Sequence, residues 1–446
     1  MAVKKLHGAA RRRATALLVG GALAASALGA CASGGNDSAD GGGAGGDAGG
    51  DEPVELDFWG WVPGLEDLVA TWNEDNPNIQ VSFHRMTGDD GQKVEAAVDA
   101  GSGPDIVQLS THDLPNYVIE ERVQDITDYV ADEEDKYTSA SWASVSFDGR
   151  VYGIPQGIGP SGMMYRKDIF EEHGVAVPTT WDEYLEAARA LKAADPDLHI
   201  ANIASSEFGQ WVQEVSQSGG SWYGIDGDAW TVGIDGPESL EIAERWQTLL
   251  DEDLVTTELM WTPEYWAKVN NGAIATISYA AWFPSQLAEN AADQAGKWRV
   301  APMPTEPGSD AQGDSGGAAN VVLRGAENPE AAAEFISWLN GSEETQEALI
   351  TEGGLFLSTH SGLESPALLQ ENEFYGGQAI NEVFAAAAEN TPDTWTEGPN
   401  FGTATTALTD EFATVVAGKQ TFEEALHNAQ DAVVEDLEAS GLTVRE

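Results

Sequence analysis

The chain of 446 residues holds a single cysteine, Cys31, so it can form no internal disulfide. Whatever it folds into must stand on its hydrophobic core alone. That cysteine closes an apolar segment that follows a cluster of positive charge. Lys4, Lys5, Arg11, Arg12 and Arg13 supply a basic n-region, and Ala14 to Leu28 supplies the apolar h-region. The apolar run falls short of the roughly 20 residues needed to span a bilayer. It is followed by Ala32-Ser33-Gly34-Gly35, with neither a stop-transfer charge nor an apolar continuation. This is the layout of a secretory signal peptide, covering residues 1–30.

Leu28-Gly29-Ala30-Cys31 resembles a bacterial lipobox, which implies that Cys31 is lipidated and becomes the mature N-terminus. Arg11-Arg12-Arg13 lacks the Phe-Leu that follows a twin-arginine export pair, which favours the general secretory route. Residues 31–53 then form a Gly/Asp-rich tether without apolar anchors. Such a segment buries too little apolar area to offset its ordering entropy. As a flexible coil of about 20 residues it reaches roughly 25 Å, enough to hold a folded body just above a bilayer. Multiple acyl chains make such a hold stable where one would be marginal.

The charge balance narrows the partners. The formal net charge is −54, and setting aside the five basic residues of the signal leaves −59. Nucleic-acid binding rests on Lys and Arg neutralising phosphates, so this chain is not expected to bind nucleic acid. Adhesion to anionic lipid through its surface is disfavoured for the same reason. Solubility in a saline extracellular setting is the preferred reading of the acidity, ahead of an acidic patch for a cationic ligand. The residues beyond the tether are ample for a large core and suggest two domains.

The folded part starts abruptly. Val54-Glu55-Leu56-Asp57-Phe58 alternates apolar and polar as a half-buried strand does. Leu65, Leu68, Val69 and Trp72 follow helical spacing, and Asn76-Pro77-Asn78 ends that helix. Ile79 to Phe83 predicts a second strand, Gln92 to Ala100 a helix, and Asp105 to Leu109 a third strand. This β-α-β-α-β order implies an α/β fold, with a parallel or mixed sheet and helices on both faces. Thr180-Trp181-Asp182-Glu183 and Thr421-Phe422-Glu423-Glu424 have the spacing of capping boxes. Trp72, Trp181 and Trp246 lie on helical apolar stripes and are assigned to packing.

Several segments together resemble a known family. Gly101-Ser102-Gly103-Pro104-Asp105-Ile106 is similar to the "GxxPDI" turn of bacterial extracellular solute-binding proteins, in the sugar-binding group that includes maltose-binding protein. Asp148-Gly149-Arg150-Val151-Tyr152-Gly153-Ile154-Pro155 resembles the group's "G-K-x-Y-G-[VI]-P". Tyr165-Arg166-Lys167-Asp168-Ile169-Phe170, Val177-Pro178-Thr179-Thr180-Trp181 and Asn328-Pro329-Glu330-Ala331-Ala332 resemble further stretches, all in family order from about Leu56 to Leu437. The resemblance implies a two-lobe, periplasmic-binding-protein-like fold (type II-like) with a cleft between discontinuous domains. One lobe would be 54–157 plus 303–357, the other 158–302 plus 358–446. It also implies the function: capture of an extracellular carbohydrate, di- or oligosaccharide favoured, by hinged lobe closure, and delivery to the membrane subunits of an ABC importer. The chain would act as a monomer anchored by Cys31 to the outer face of the cytoplasmic membrane, with no cofactor.

Sugar recognition needs aromatic faces against C–H patches and carboxylates or amides for hydroxyls. The chain has 15 Trp, and Trp59, Trp61, Trp222, Trp282 and Trp395 fall after strands or in loops, where α/β sheets bind ligands. The resemblance implies ligand contacts at Trp59 and Trp61 after the first strand, and at Asp113, beside Thr111 and His112, after the third. It implies others at Gln156 and Ser161 on the first crossing, at Glu207 and Phe208, at Trp222 after Gly219-Gly220-Ser221, at Trp282 after Ala280-Ala281, and at Gly317 beside Gly316; Trp395 is a candidate from its loop position alone.

Other signals are set aside. Gly157-Ile158-Gly159-Pro160-Ser161-Gly162 spells a dinucleotide fingerprint, but Pro155 precedes it, Pro160 interrupts it and Met163-Met164-Tyr165 continues as a strand. The seven histidines are scattered without metal-binding spacing. No catalytic residue is assigned. The same fold could instead bind a polyamine or peptide. A secreted glycoside hydrolase would need a spaced carboxylate pair that nothing marks. Cys31→Ser is expected to release the protein from the membrane fraction of washed cells, read by immunoblot, while leaving the affinity for its solute unchanged.

Overall fold

The computed structural model describes residues 53–87, 90–227 and 229–445. Cys31, its signal segment and the tether up to residue 52 lie outside the described residues.

Seven strands build the main sheet: β1 (Val54–Gly60), β2 (Ile79–Arg85), β3 (Ile106–Ser110), β4 (Ile154–Arg166), β5 (Thr276–Ala280), β6 (Trp298–Ala301) and β7 (Asp314–Val322). Their order is β5-β4-β7-β3-β1-β2, with β6 also paired to β4. β1 runs parallel to β2 and β3, as the N-terminal β-α-β-α-β order requires. The remaining pairs are antiparallel, so the sheet is mixed. The helix between β1 and β2, Leu65–Asp75, buries the predicted stripe of Leu65, Leu68, Val69 and Trp72.

β4 and β7 carry the architecture. The first part of β4 pairs with β7, from Ile154↔Asn320 through Ile158↔Gly317 to Pro160↔Asp314, with shifts of register on the way. Its later part pairs with β5 and β6, from Ser161↔Ala280 to Arg166↔Trp298. One strand is therefore shared by the N-terminal and central segments, and the glycine-rich stretch set aside as a phosphate loop lies inside it. Glycine is required where the two strands touch: a Cβ at Gly159 would lie 2.5 Å from the Ser315 carbonyl oxygen.

The core forms two hydrophobic clusters. The first gathers Phe58, Leu65, Val107, Phe335 and Leu339 and continues along β4 to Tyr265, Phe283 and Phe384. The second gathers Phe170, Trp181, Trp211, Trp246, Phe412 and Val433. Trp72, Trp181 and Trp246 are all buried, as their stripes predict. Thr421 forms the full capping box with Glu424. At Thr180 only half forms. The Thr180 hydroxyl accepts the Glu183 N–H, but the Glu183 carboxylate accepts from the backbone N–H and hydroxyl of Thr179 instead of reaching Thr180. Thr179 offers two donors to one oxygen, which explains the shift by one residue.

A buried amide network sits beneath β3 and β4. Gln108 donates to the Gln156 carboxamide oxygen, Gln156 Nε2 donates to Asn340 Oδ1 at 3.2 Å, and Asn320 Nδ2 donates to the same oxygen at 3.0 Å. Asn340 in turn donates to the Ile154 carbonyl at 2.9 Å. Gln108 Oε1 also accepts the Trp61 backbone N–H at 2.8 Å, so the network fixes the exit of β1. Gln156→Leu strips Gln108 and Asn340 of a partner inside the core. It is expected to lower unfolding free energy by about 1–3 kcal/mol, measured by urea denaturation.

Candidate functional site

Parallel β1 and β3 deliver Trp61 and the Thr111-His112-Asp113 turn to the same edge of the sheet, and the start of β7 brings Gly316 and Gly317 beside them. The Thr111 N–H donates to the Gly317 carbonyl at 3.1 Å. A cavity of about 740 Å³ opens over this edge. Thr111, His112 and Phe147 wall it on one side, Gly157, Asp314, Gly316 and Gly317 form its floor, and Ser216, Trp230, Trp395 and Glu397 face them. This volume lies in the range of small-molecule sites.

Polar contacts tie the two walls together. His112 Nδ1 and Glu397 Oε2 lie 2.8 Å apart, and the His112 ring stacks on Phe401 with centroids 4.3 Å apart and planes 10° from parallel. Asn116 Oδ1 accepts the Asn400 backbone N–H at 2.7 Å. Burial alone would lower the His112 pKa. The Glu397 carboxylate, assisted by Asp113 and Asp314, outweighs that and raises it. Asp314 on the floor accepts from the Gly159 N–H at 3.1 Å, and its backbone N–H donates to Ser216 Oγ at 3.0 Å. Burial pushes Asp314 up to about 7, against the pull of His112 and the Gly159 N–H.

Beside the cavity stands an aromatic shelf. Trp282 is 37% exposed and stacks on Trp261, 43% exposed, with centroids 6.1 Å apart and planes 23° from parallel. Tyr279 meets Trp282 edge-on at 4.9 Å. The shelf adjoins the cavity at Gly316, whose φ of +108° suits glycine and where a Cβ would lie 3.7 Å from Trp282 Nε1. Glu207 holds the shelf. Its Oε1 accepts the Gly209 N–H and its Oε2 accepts the Trp261 indole N–H, both at 3.1 Å. Burial, and then the Glu207 charge, holds the Tyr279 phenol well above its ordinary pKa, so it stays a neutral hydroxyl.

The structure places the sequence-predicted residues in three settings. Gly317 and Trp395 line the cavity, and the Trp395 indole N–H is buried without a hydrogen-bond partner among the described residues. Trp282 and Glu207 belong to the shelf, Trp61 is exposed at the exit of β1, and Asp113 is exposed next to His112. The others are committed elsewhere. Gln156 is wholly buried in the amide network, and Ser161 is wholly buried in β4. Phe208 packs on Phe412, and Trp222 is fully buried between Trp395 and Phe401. Trp59 donates to Asp57 at 3.0 Å and lies against His84 at 4.4 Å on the neighbouring strand. Loop position marked Trp59 and Trp222 and the resemblance marked the other three; the tertiary fold brings neighbours against Trp59, Gln156, Phe208 and Trp222, while the Ser161 hydroxyl is buried without a hydrogen-bond partner among the described residues.

Sequence reasoning passed over Trp261, Asp314, Tyr279 and Glu397. Trp261 carried one signal: it directly precedes Thr262-Pro263, where a helix cap and first-turn proline start Pro263–Asn271. Asp314 and Glu397 carried none among so many acids.

Residues 60–346, more than half of the chain, match the family of bacterial extracellular solute-binding proteins. The chain belongs to that family. An arabinooligosaccharide-binding protein of Halalkalibacterium halodurans is 27% identical over 86% of this chain and 90% of its own length. A lactose-binding protein of Rhizobium radiobacter is 24% identical over 82% of this chain and 89% of its own. Among solved structures, the galacto-N-biose/lacto-N-biose I-binding protein of a Bifidobacterium longum ABC transporter, in complex with lacto-N-biose, superposes with a TM-score of 0.79. It is 28% identical and covers 90% of this chain and all of its own. The ABC transporter-associated binding protein of B. animalis subsp. lactis Bl-04, in complex with β-1,6-galactobiose, gives 0.76 at 29% identity, covering 89% of this chain and all of its own. The fold is thus the two-lobe fold of such binding proteins, and the family and these relatives are binding proteins, not enzymes.

The Asp314 geometry makes a pH-dependent prediction. Its folded pKa lies above the ordinary 3.8, so ionising it costs the native state more than the unfolded one. Its contribution therefore falls as pH rises from about 4 to about 7. Asp314→Asn removes that loss. Urea unfolding should show the variant gaining stability on wild type between pH 5 and pH 8.

Proposed function

We propose that this chain is the substrate-binding receptor of an ABC importer and that it captures an extracellular di- or oligosaccharide in the cleft at the crossing strands. The observation that carries the reading is the exposed Trp282 beside the cavity floor at Gly316. An apolar indole face left open to solvent, with the Tyr279 hydroxyl and the Glu207 carboxylate on the same shelf and His112 and Asp314 in the adjoining cavity, matches a sugar's alternation of C–H patches and hydroxyls. The sugars named for the relatives support the same class. A lobe of residues 54–157 and 303–357 and a lobe of 158–302 and 358–446 close about β4 and β7, and the ligand's added contacts in the closed state drive the closure. The receptor acts as a monomer, held at the outer face of the cytoplasmic membrane by lipidated Cys31 and delivering its cargo to a permease there.

A thermal-shift screen tests this with arabinooligosaccharides, lactose, β-1,6-galactobiose, lacto-N-biose and their monosaccharides. A ligand that binds only the native state raises the melting temperature. Saturable binding with the sugar recovered intact supports the receptor. Steady release of reducing ends would replace it with a hydrolase, and a shift with polyamines or peptides alone would move it to another solute class. Trp282→Ala is expected to cost about 2 kcal/mol of binding, roughly 30-fold in affinity by calorimetry.

A further inference from the structure

We infer that Trp261 is a second stacking surface beside Trp282, and that it makes the site favour solutes of two or more sugar rings over single ones. The inference rests on the carbohydrate reading of the site above.

Three observations converge on this residue. Its backbone sits at φ +68°, the left-handed region that glycine enters freely and a bulky side chain does not. Glycine would serve that turn, since the cap that starts the next helix is supplied by Thr262, whose hydroxyl accepts the Tyr265 N–H at 3.3 Å. The chain instead keeps its largest side chain there. Backbone strain of this kind persists where the surrounding structure holds it, and it concentrates at ligand clamps.

The ring is also aimed and fixed. Its indole N–H is held by Glu207 Oε2, Phe283 lies 5.6 Å from it and Trp266 6.2 Å, and its plane follows that of Trp282. Its conformational freedom is thus spent before any ligand arrives, which lowers the cost of binding. Finally, it remains exposed despite these neighbours. Two near-parallel indoles offset along one shelf present a surface longer than one sugar ring. A monosaccharide seated on Trp282 leaves Trp261 bare, whereas a second ring reaches it. Glu207 is then a positioning residue: it orients Trp261 through the indole N–H and braces the turn through Gly209.

The test compares wild type with Trp261→Gly, which suits the left-handed backbone, by calorimetry with lactose, β-1,6-galactobiose and arabinobiose against galactose and arabinose. The expected result is a loss of about tenfold for the two-ring sugars with single-ring affinity held within about twofold. Trp261→Phe, which keeps a ring, should recover most of the loss. If the glycine variant melts far below wild type, Trp261→Asn, also tolerant of this backbone region, takes its place. Equal losses for one- and two-ring sugars, or none, would overturn the inference while leaving the receptor intact. Wild type that binds no sugar of the panel would overturn both.

Discussion

The antiparallel pairing of β4 with β7 is the contact on which the rest of the molecule depends. It joins segments about 160 positions apart in sequence. It forms because Gly159 lets the Ser315 backbone approach where a side chain would collide. From this pair the sheet extends both ways, through β3, β1 and β2 on one side and β5 and β6 on the other. The cavity floor is the same two strands seen from above, at Gly157, Asp314, Gly316 and Gly317. Fold and site are therefore set by one interaction.

That dependence explains the polar chemistry of the floor. Crossing strands leave backbone groups that no regular ladder satisfies, and buried ones must find partners. Asp314 takes the Gly159 N–H, and Ser216 answers the backbone of Asp314 with both a bond given and a bond received. Beneath β3 and β4 the linked Gln108, Gln156, Asn320 and Asn340 amides perform the same service, with Gln108 accepting the Trp61 and Val62 N–H groups and Asn340 donating to the Ile154 carbonyl. The His112–Glu397 pair and the His112–Phe401 stack likewise join residues far apart in sequence beside the cavity.

Much of the fold was legible in one dimension because its signals are local. Alternation marked β1, helical spacing marked Leu65–Asp75, and Thr421 with Glu424 marked the last long helix. The site was legible only in part. Trp282 and Glu207 follow motif positions and stand on the shelf, and Trp395 and Gly317 line the cavity. Trp222 and Phe208 look the same in the sequence, yet Phe401 and Phe412 cover them from nearly 200 residues downstream. Trp261 was passed over because nothing in its neighbourhood announces that it will meet Glu207, 54 residues earlier.

By itself the sequence determined the class of the protein. A lone cysteine left the fold to its hydrophobic core, the β-α-β-α-β order of the N-terminal part made it α/β, and the resemblance of its motifs implied the two-lobe solute-binding family to which it belongs. Only the tertiary structure decided which aromatic rings are left facing solvent and which carboxylates are drawn into the cleft. Exposure and pKa are properties of what packs against a group, and for Trp261, Asp314 and Glu397 those neighbours come from distant parts of the chain.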